Sequence, residues 1–262
     1  MLETKMKYAL ITGASKGIGK SMAIALAKRK INLLLISRSV DELNALQTAL
    51  ENQYDVEVHS LAIDLSQIEA PKAVLNWVTE NNYAIQILIN NAGYGLWGKF
   101  GELDLAAQLE MCQLNMTTVT ALCHLLLPVL LIEKKAYILN VCSTAAYQAV
   151  PTLAIYSATK AFILSFTRAL RFELKDGPVS VSCLSPGPVD TGFAHRAGLD
   201  AFSKMAEKFN MQPDKVAEIA IKGLFAGKAE IIPGFTNIIS VYANRILPKG
   251  FIEKMAAGIY KT

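Results

Sequence analysis

The 262-residue chain is expected to fold as α/β: one doubly wound domain built on a mostly or wholly parallel sheet of about seven strands, with helices on both faces. Three observations lead there. Short apolar runs recur at steady intervals with helical stretches between them, and a glycine-rich turn follows the first run. Hydrophobic residues make up 52% of the chain, enough for one large buried core. No repeat, low-complexity tract or linker interrupts the alternation, so residues 1–262 read as a single domain.

Taken in order, strands are expected near residues 7–12, 32–37, 56–63, 85–90, 136–142, 179–184 and 229–232. The first runs from Tyr8 to Ile11 into Thr12, Gly13, Ala14, Ser15, Lys16, Gly17, Ile18 and Gly19, then into a helix over about 18–29. Glycines let the backbone turn tightly and approach a ligand, and the free N–H groups opening the helix attract a pyrophosphate. The spacing, G-x-x-x-G-x-G, differs from the G-x-G-x-x-G form. A nucleoside-triphosphate loop would need glycine at position 14, which is alanine, and an acidic strand end for magnesium, which the chain does not offer. Further helices are expected over about 103–132 and 154–175. After the turn Pro186, Gly187, Pro188, residues 192–212 read as an irregular loop, and 235–262 as an atypical extension mixing apolar residues with Arg245, Lys249, Lys254 and Lys261.

The chemistry centres on Tyr156 and Lys160, which stand four apart and so project from one helix face. A phenol is a poor acid or base at neutral pH, but a neighbouring ammonium favours the phenolate and makes proton transfer to or from a substrate oxygen accessible. Such a pair alone is most often a solvated helix face. Its company changes the reading: the glycine turn, the run Asn90, Asn91, Ala92, Gly93, and Ser143, which lies 13 residues before Tyr156.

Together these elements resemble the short-chain dehydrogenase/reductase family, in its order, over about residues 6–232. The resemblance implies a Rossmann-type fold, a nicotinamide dinucleotide cofactor and catalysis by Ser143, Tyr156 and Lys160 with Asn115, which matches the family's helical asparagine. It implies that Lys160 also holds the nicotinamide ribose, that Asn115 anchors a proton-relaying water, and that Ser143 hydrogen-bonds the substrate oxygen. It assigns to the cofactor Gly13, Ser15, Lys16, Gly17, Ile18 and Gly19 in the turn; Asp64 and Leu65 facing the adenine; Asn91, Ala92 and Gly93 beside the ribose; and Pro186, Gly187, Val189 and Thr191 around the carboxamide. Asn90 and Asn91 serve equally as strand-end hydrogen-bonders, and Pro186 and Gly187 as turn formers.

Charge selects the cofactor. The second strand ends in Ser37 and Arg38, where an NAD site usually carries an acid for the ribose. A carboxylate would repel a 2′-phosphate, whereas Ser37 donates to it, Arg38 clamps it, and Lys16 adds a second cation. NADP(H) is therefore expected, as in the family's NADP-preferring branch.

Composition excludes other classes. The net charge of +4 is spread along the chain and leaves no nucleic-acid footprint. Cys112, Cys123, Cys142 and Cys183 sit singly in apolar segments, and His59, His124 and His195 share no ligand spacing, so neither a disulfide frame nor a metal site is expected; buried thiols suit a reducing, cytoplasmic compartment. The charged start of the chain does not read as a signal peptide. The uncharged run Met111–Ile132 contains Gln113, Asn115, three threonines and His124, which favours a packed or interface helix over an integral membrane span.

The expected activity is interconversion of a carbonyl and an alcohol on a small lipophilic molecule, its pocket lined by Tyr94, Trp97, Thr144, Ala145, Tyr147, Gln148 and Phe193. The residues do not choose among steroid, acyl, sugar-derived or xenobiotic carbonyls, nor fix the direction. Two other classes stay open: a catalytically silent NADP(H)-binding regulatory protein, and a membrane-surface protein using the apolar, basic tail. Apolar residues on several faces of the helices holding Asn115 (Leu122, Leu125, Leu126, Val129) and Tyr156 (Phe162, Leu164, Phe166, Leu170) point to a homodimer or homotetramer, the family's two-fold helix contact.

Overall fold

The computed structural model describes residues 6–191 and 210–259. Seven strands form one parallel sheet: β1 (Lys7–Thr12), β2 (Asn32–Ser37), β3 (Val58–Ala62), β4 (Ala84–Asn90), β5 (Ala136–Val141), β6 (Val179–Leu184) and β7 (Glu230–Ile231), in spatial order β3-β2-β1-β4-β5-β6-β7. The third and seventh strands are shorter than the apolar runs that announced them. Interior strands are buried on both sides, which is why they read as continuous apolar runs. Along β1, Tyr8 and Leu10 face one half of the core while Ala9 and Ile11 face the other.

The helices are α1 (Gly17–Ala27), α2 (Val40–Gln53), α3 (Ala70–Glu80), α4 (Leu105–Cys112), α5 (Thr118–Leu131), α6 (Ala154–Glu173), α7 (Pro213–Phe225), α8 (Phe235–Ile246) and α9 (Lys249–Ile259). α1, α2 and α7 cover one face; α3, α5 and α6 cover the other. Ser21 on α1 donates to Asp214 at the start of α7 at 2.6 Å, tying two helices 193 residues apart.

Three sequence expectations change. The helix expected over 103–132 is two α-helices joined by a π turn, Gln113–Thr117, at Asn115. A π turn widens the backbone by one residue and so re-aims a side chain, a change that apolar periodicity hides. Residues 105–131 are long and apolar enough to cross a membrane, but Leu122, Leu126 and Leu130 pack on the sheet. Leu122 and Leu126 are thus core of this chain and unavailable to a partner copy. The described part of the atypical extension 235–262 forms the two helices α8 and α9.

The order in which successive strands are added reverses between β1 and β4, which run parallel and whose carboxyl ends diverge into separate loops. Such a switch point opens a crevice at the strand ends, and the predicted site residues gather there.

Candidate active site

The glycine turn closes β1. Gly13 and Gly17 have φ of +65° and +53°, which L side chains rarely adopt. A Cβ on Gly19 would meet the Gly13 carbonyl oxygen at 2.2 Å and Asn91 Nδ2 at 2.5 Å. Only glycine lets the start of α1 fold back on the turn. Asn91 Nδ2 donates to the carbonyls of Thr12 (3.0 Å) and Gly13 (3.1 Å), while Thr12 Oγ1 accepts from the N–H groups of Asn91 and Ala92. The segment after β4 therefore sets the turn, and Asn91 acts through the backbone it holds. Across the crevice, a Cβ on Gly17 would lie 2.8 Å from Thr191 Cβ, so the loop after β6 closes against the glycine turn. These close backbone approaches, with the uncapped amino end of α1, fit a dinucleotide pyrophosphate.

Both predicted phosphate cations have acidic company. Lys16 Nζ is 2.7 Å from Glu42 Oε1, and Arg38 Nη1 is 3.8 Å from Asp64 Oδ2. The hydrogen bond from Lys16, with others from Ser15 and Ser39, holds the Glu42 carboxyl below the usual range. Glu42 lies in the first turn of α2, where acids favour the helix dipole, and nothing in the motif reading drew notice to it. Ser37 is buried and its Oγ accepts from the Ser39 N–H at 3.3 Å. Asp64 accepts from Ser66 N–H and Oγ, bracing the bend after β3. The Leu65 side chain is in the core, which leaves only its backbone for an adenine.

At the other end of the crevice stand Asn115, Ser143, Tyr156 and Lys160. Lys160 is 6% exposed; its ammonium donates to the Val141 carbonyl at 3.0 Å and lies 5.7 Å from the centroid of the Tyr156 ring. Burial pushes the Lys160 pKa down. Asn115 is 1% exposed, its Oδ1 accepting from the Tyr94 N–H and its Nδ2 donating to the Tyr94 carbonyl and Thr159 Oγ1. Gly93 makes room for both groups, since a Cβ there would sit 2.8 Å from Asn115 Oδ1 and 3.6 Å from Lys160 Nζ. Ser143 Oγ caps the 3₁₀ turn Thr144–Tyr147 by accepting from Ala145 N–H at 3.1 Å, and its hydroxyl proton stays available to a second acceptor.

Beneath the site, Asn90 Nδ2 donates to Asn140 Oδ1, directly opposite in the β4/β5 register, and Asn140 Nδ2 donates to Thr167 Oγ1 on α6. This buried ladder ties α6 to the sheet; Asn90 is the strand-end hydrogen-bonder the sequence suggested, whereas its partner Asn140 could not be read there, because asparagines 50 residues apart carry no spacing signal.

The pocket residues divide. Thr144, Ala145 and Gln148 are half-buried in and just after the turn that follows Ser143, with the Thr144 N–H donating to the Pro186 carbonyl, and Trp97 is half-buried against the core. Tyr94 is instead a core residue whose hydroxyl reaches the Ala107 carbonyl and Glu110 on α4. Tyr147 turns its hydroxyl towards Ser185 and Glu230, the latter also paired with Arg168. Burial, followed by the hydrogen bond to Glu230, pushes the Tyr147 phenol far up. Val189 bridges Met211, and Gly187 lies against Asn237 of α8, where a Cβ would meet Oδ1 at 2.4 Å. Phe193 lies outside the described residues.

Comparison with known proteins agrees with this arrangement. A family model described as short chain dehydrogenase matches residues 7–201. A very-long-chain 3-oxoacyl-CoA reductase-A of Danio rerio is 37% identical over 186 residues, 69% of this chain and 57% of that protein, so the match spans little more than half of that relative's length. An NADP-dependent 3-hydroxy acid dehydrogenase of Schizosaccharomyces pombe is 32% identical, covering 83% of this chain and 86% of its own. A solved short-chain dehydrogenase from Sphingobium yanoikuyae in complex with NADPH superimposes with a TM-score of 0.82 at 29% identity, covering 94% and 95% of the two chains.

Proposed function

The chain belongs to the short-chain dehydrogenase/reductase family, and from that premise we propose that it is an NADP(H)-dependent oxidoreductase that interconverts a carbonyl and an alcohol on a small lipophilic substrate. The observation that carries the reading is the buried Lys160 ammonium set 5.7 Å from the Tyr156 ring, beside Asn115 and across from the glycine turn. NADPH, when bound, supplies the hydride.

Tyr156 gives its phenolic proton to the substrate oxygen as negative charge develops there, and in the reverse direction takes it back as base. Ser143 donates its remaining proton to the same oxygen. Lys160 stabilises the phenolate left behind and holds ribose hydroxyls; a hydrated ammonium would do neither as well, because the low local dielectric strengthens both contacts. Asn115 fixes Tyr94 and Thr159, and so the backbone that flanks Lys160. The apolar company of Trp97 and Ala145 suits a lipophilic carbonyl.

NADP(H) preference rests on Lys16, Ser37 and Arg38, and is supported by the NADP named for the Schizosaccharomyces relative and the NADPH in the Sphingobium complex. We also propose a two-fold assembly through α5 and α6. Phe162 is 42% exposed and stacks on Phe166 on the outer face of α6. The test is a turnover screen of ketones, aldehydes and alcohols with all four cofactor forms. Reduction of apolar ketones with NADPH is expected; cofactor binding without turnover on a broad panel would leave a silent regulatory protein instead.

A further inference from the structure

α8 has two apolar sides. Inward, Val241 is buried and Ile238 lines a groove against α7. Outward, Phe235, Ile239, Tyr242 and Ile246 are 76%, 54%, 55% and 82% exposed. Their spacing puts all four within about 60° of the helix circumference. The stripe continues past Leu247 onto α9, where Phe251 and Met255 stand exposed one turn apart while Ile252 and Ala256 face inward. Scattered apolar residues on a surface are ordinary; a continuous stripe across two helices is not.

Charge identifies the occupant. From Phe235 to Ile259 the only acid is Glu253, whereas Lys249 and Lys254 are exposed. A groove of about 380 Å³ opens beside Tyr242, mostly apolar, with Lys222, Lys228 and Glu230 on its lining, the last already paired with Arg168. Among the described residues none of these four lysines is in an ion pair. A second copy meeting this face two-fold would bring like charge towards like charge, with Glu253 as the one acid in the sequence 235–259 and Glu230 already engaged by Arg168. A bilayer with acidic headgroups satisfies all of them at once and takes the stripe into the acyl boundary.

We propose that α8 and α9 form a docking surface for an anionic lipid bilayer, making the chain a peripheral membrane protein. The surface sits beside the substrate end of the crevice, since Asn237 in the first turn of α8 packs on Gly187. A lipophilic carbonyl leaving the bilayer would then reach the site with little exposure to water. Docking does not depend on turnover, so it stands or falls apart from the proposed activity.

The experiment is sedimentation of the full chain with vesicles of phosphatidylcholine alone, or with about one third phosphatidylglycerol. Binding to the second kind is expected, weakening as salt rises. Ile239→Glu with Ile246→Glu, and separately Lys249→Glu with Lys254→Glu, should each lower the partition at least tenfold, roughly the loss of two charges or two inserted side chains. Unchanged melting temperature and cofactor-induced shift in those variants would show that the fold is intact. The inference is overturned if the protein stays in the supernatant with both vesicle types, or if the variants bind as well as the parent. It is equally overturned if light scattering shows a dimer that Ile239→Glu dissociates, because a second copy would then own the face.

Discussion

Replacing Lys160 with methionine should raise the stability of the cofactor-free protein while destroying its function. The ammonium is almost fully buried and faces no carboxylate in the described hydrogen bonds; it donates to the Val141 carbonyl at 3.0 Å, lies 5.7 Å from the centroid of the Tyr156 ring, and has the Cys142 and Cys183 thiols within electrostatic reach. Burying a charge costs several kcal/mol, against about 1.5–3 returned by one charge-assisted hydrogen bond and up to about 1 by the ring. Methionine fills a similar volume without the charge, though it strands the carbonyl at a cost of about 1–3 kcal/mol. The balance favours the variant by about 1 kcal/mol, or about 2–4 °C in melting temperature for a domain of this size. The sign of the pH dependence follows from the lowered pKa. Below its folded pKa the parent carries the full cost of the buried charge; as pH rises from there towards the ordinary lysine value, the folded state sheds the proton before the unfolded chain does, and the cost disappears. The variant's advantage should therefore be full below the folded pKa of Lys160 and shrink as pH rises from there towards 10.5. Differential scanning fluorimetry from neutral to alkaline pH reads this directly, and added NADPH should stabilise the parent far more than the variant. A lower melting temperature at neutral pH, or a difference that ignores pH, would refute the account and make the ammonium a net structural brace.

Three further outcomes test the site. Tyr156→Phe should cut carbonyl reduction by ~10² to 10⁴ with NADPH affinity and melting temperature unchanged, and retention of more than about a tenth of the rate would remove Tyr156 from its role. Arg38→Asp should move the NADPH:NADH ratio of kcat/KM towards NADH by about one to two decades, the worth of one charge-assisted contact; an unmoved ratio would assign selectivity to Lys16 and Ser37. Glu42→Gln, which releases Lys16 from its ion pair and removes a negative charge beside the proposed 2′-phosphate site, should tighten NADP⁺ binding roughly three- to tenfold and leave NAD⁺ unaffected. Titration calorimetry checks it, with the gain expected to vanish when Lys16 is also replaced.

The sheet was legible because its strands are buried on both faces, so β1 and β2 announce themselves as apolar runs between turn residues, β4 does so with Gln86 as its one interruption, and β6 shows instead a run of β-branched valines alternating with Ser180 and Ser182. The glycine turn was legible for a different reason. Positive φ at Gly13 and Gly17, each with a neighbour under 3 Å from where a Cβ would sit, and the 2.2 Å approach at Gly19 all disfavour any side chain, so the constraint is written at fixed spacing. Where a side chain points is set by tertiary contacts and is not written there. Tyr94 and Tyr147 fell in the right segment yet send their hydroxyls to Glu110 and Glu230, because a buried phenol goes to the nearest strong acceptor, and those acceptors arrive from α4 and β7.

Glu42 shows the same limit on the electrostatic side. Counting charges along the second strand found Ser37 and Arg38 and no acid, which is true of the strand and incomplete for the site. The amino end of α2 lies against the glycine turn, and an acid favoured there by the helix dipole reaches Lys16 from a separate element. In the proposed site, cofactor selectivity is therefore a sum over several elements, with Lys16 and Arg38 placed to attract a 2′-phosphate while Glu42 and Asp64 compete for the same cations. A crevice so balanced should bind NADP(H) more weakly, and prefer it less, than its two cations alone would require. Its preference should also fade more slowly with salt than that of a site whose cations face only the ligand, since screening beyond a Debye length of about 8 to 10 Å weakens the competition from the acids along with the attraction.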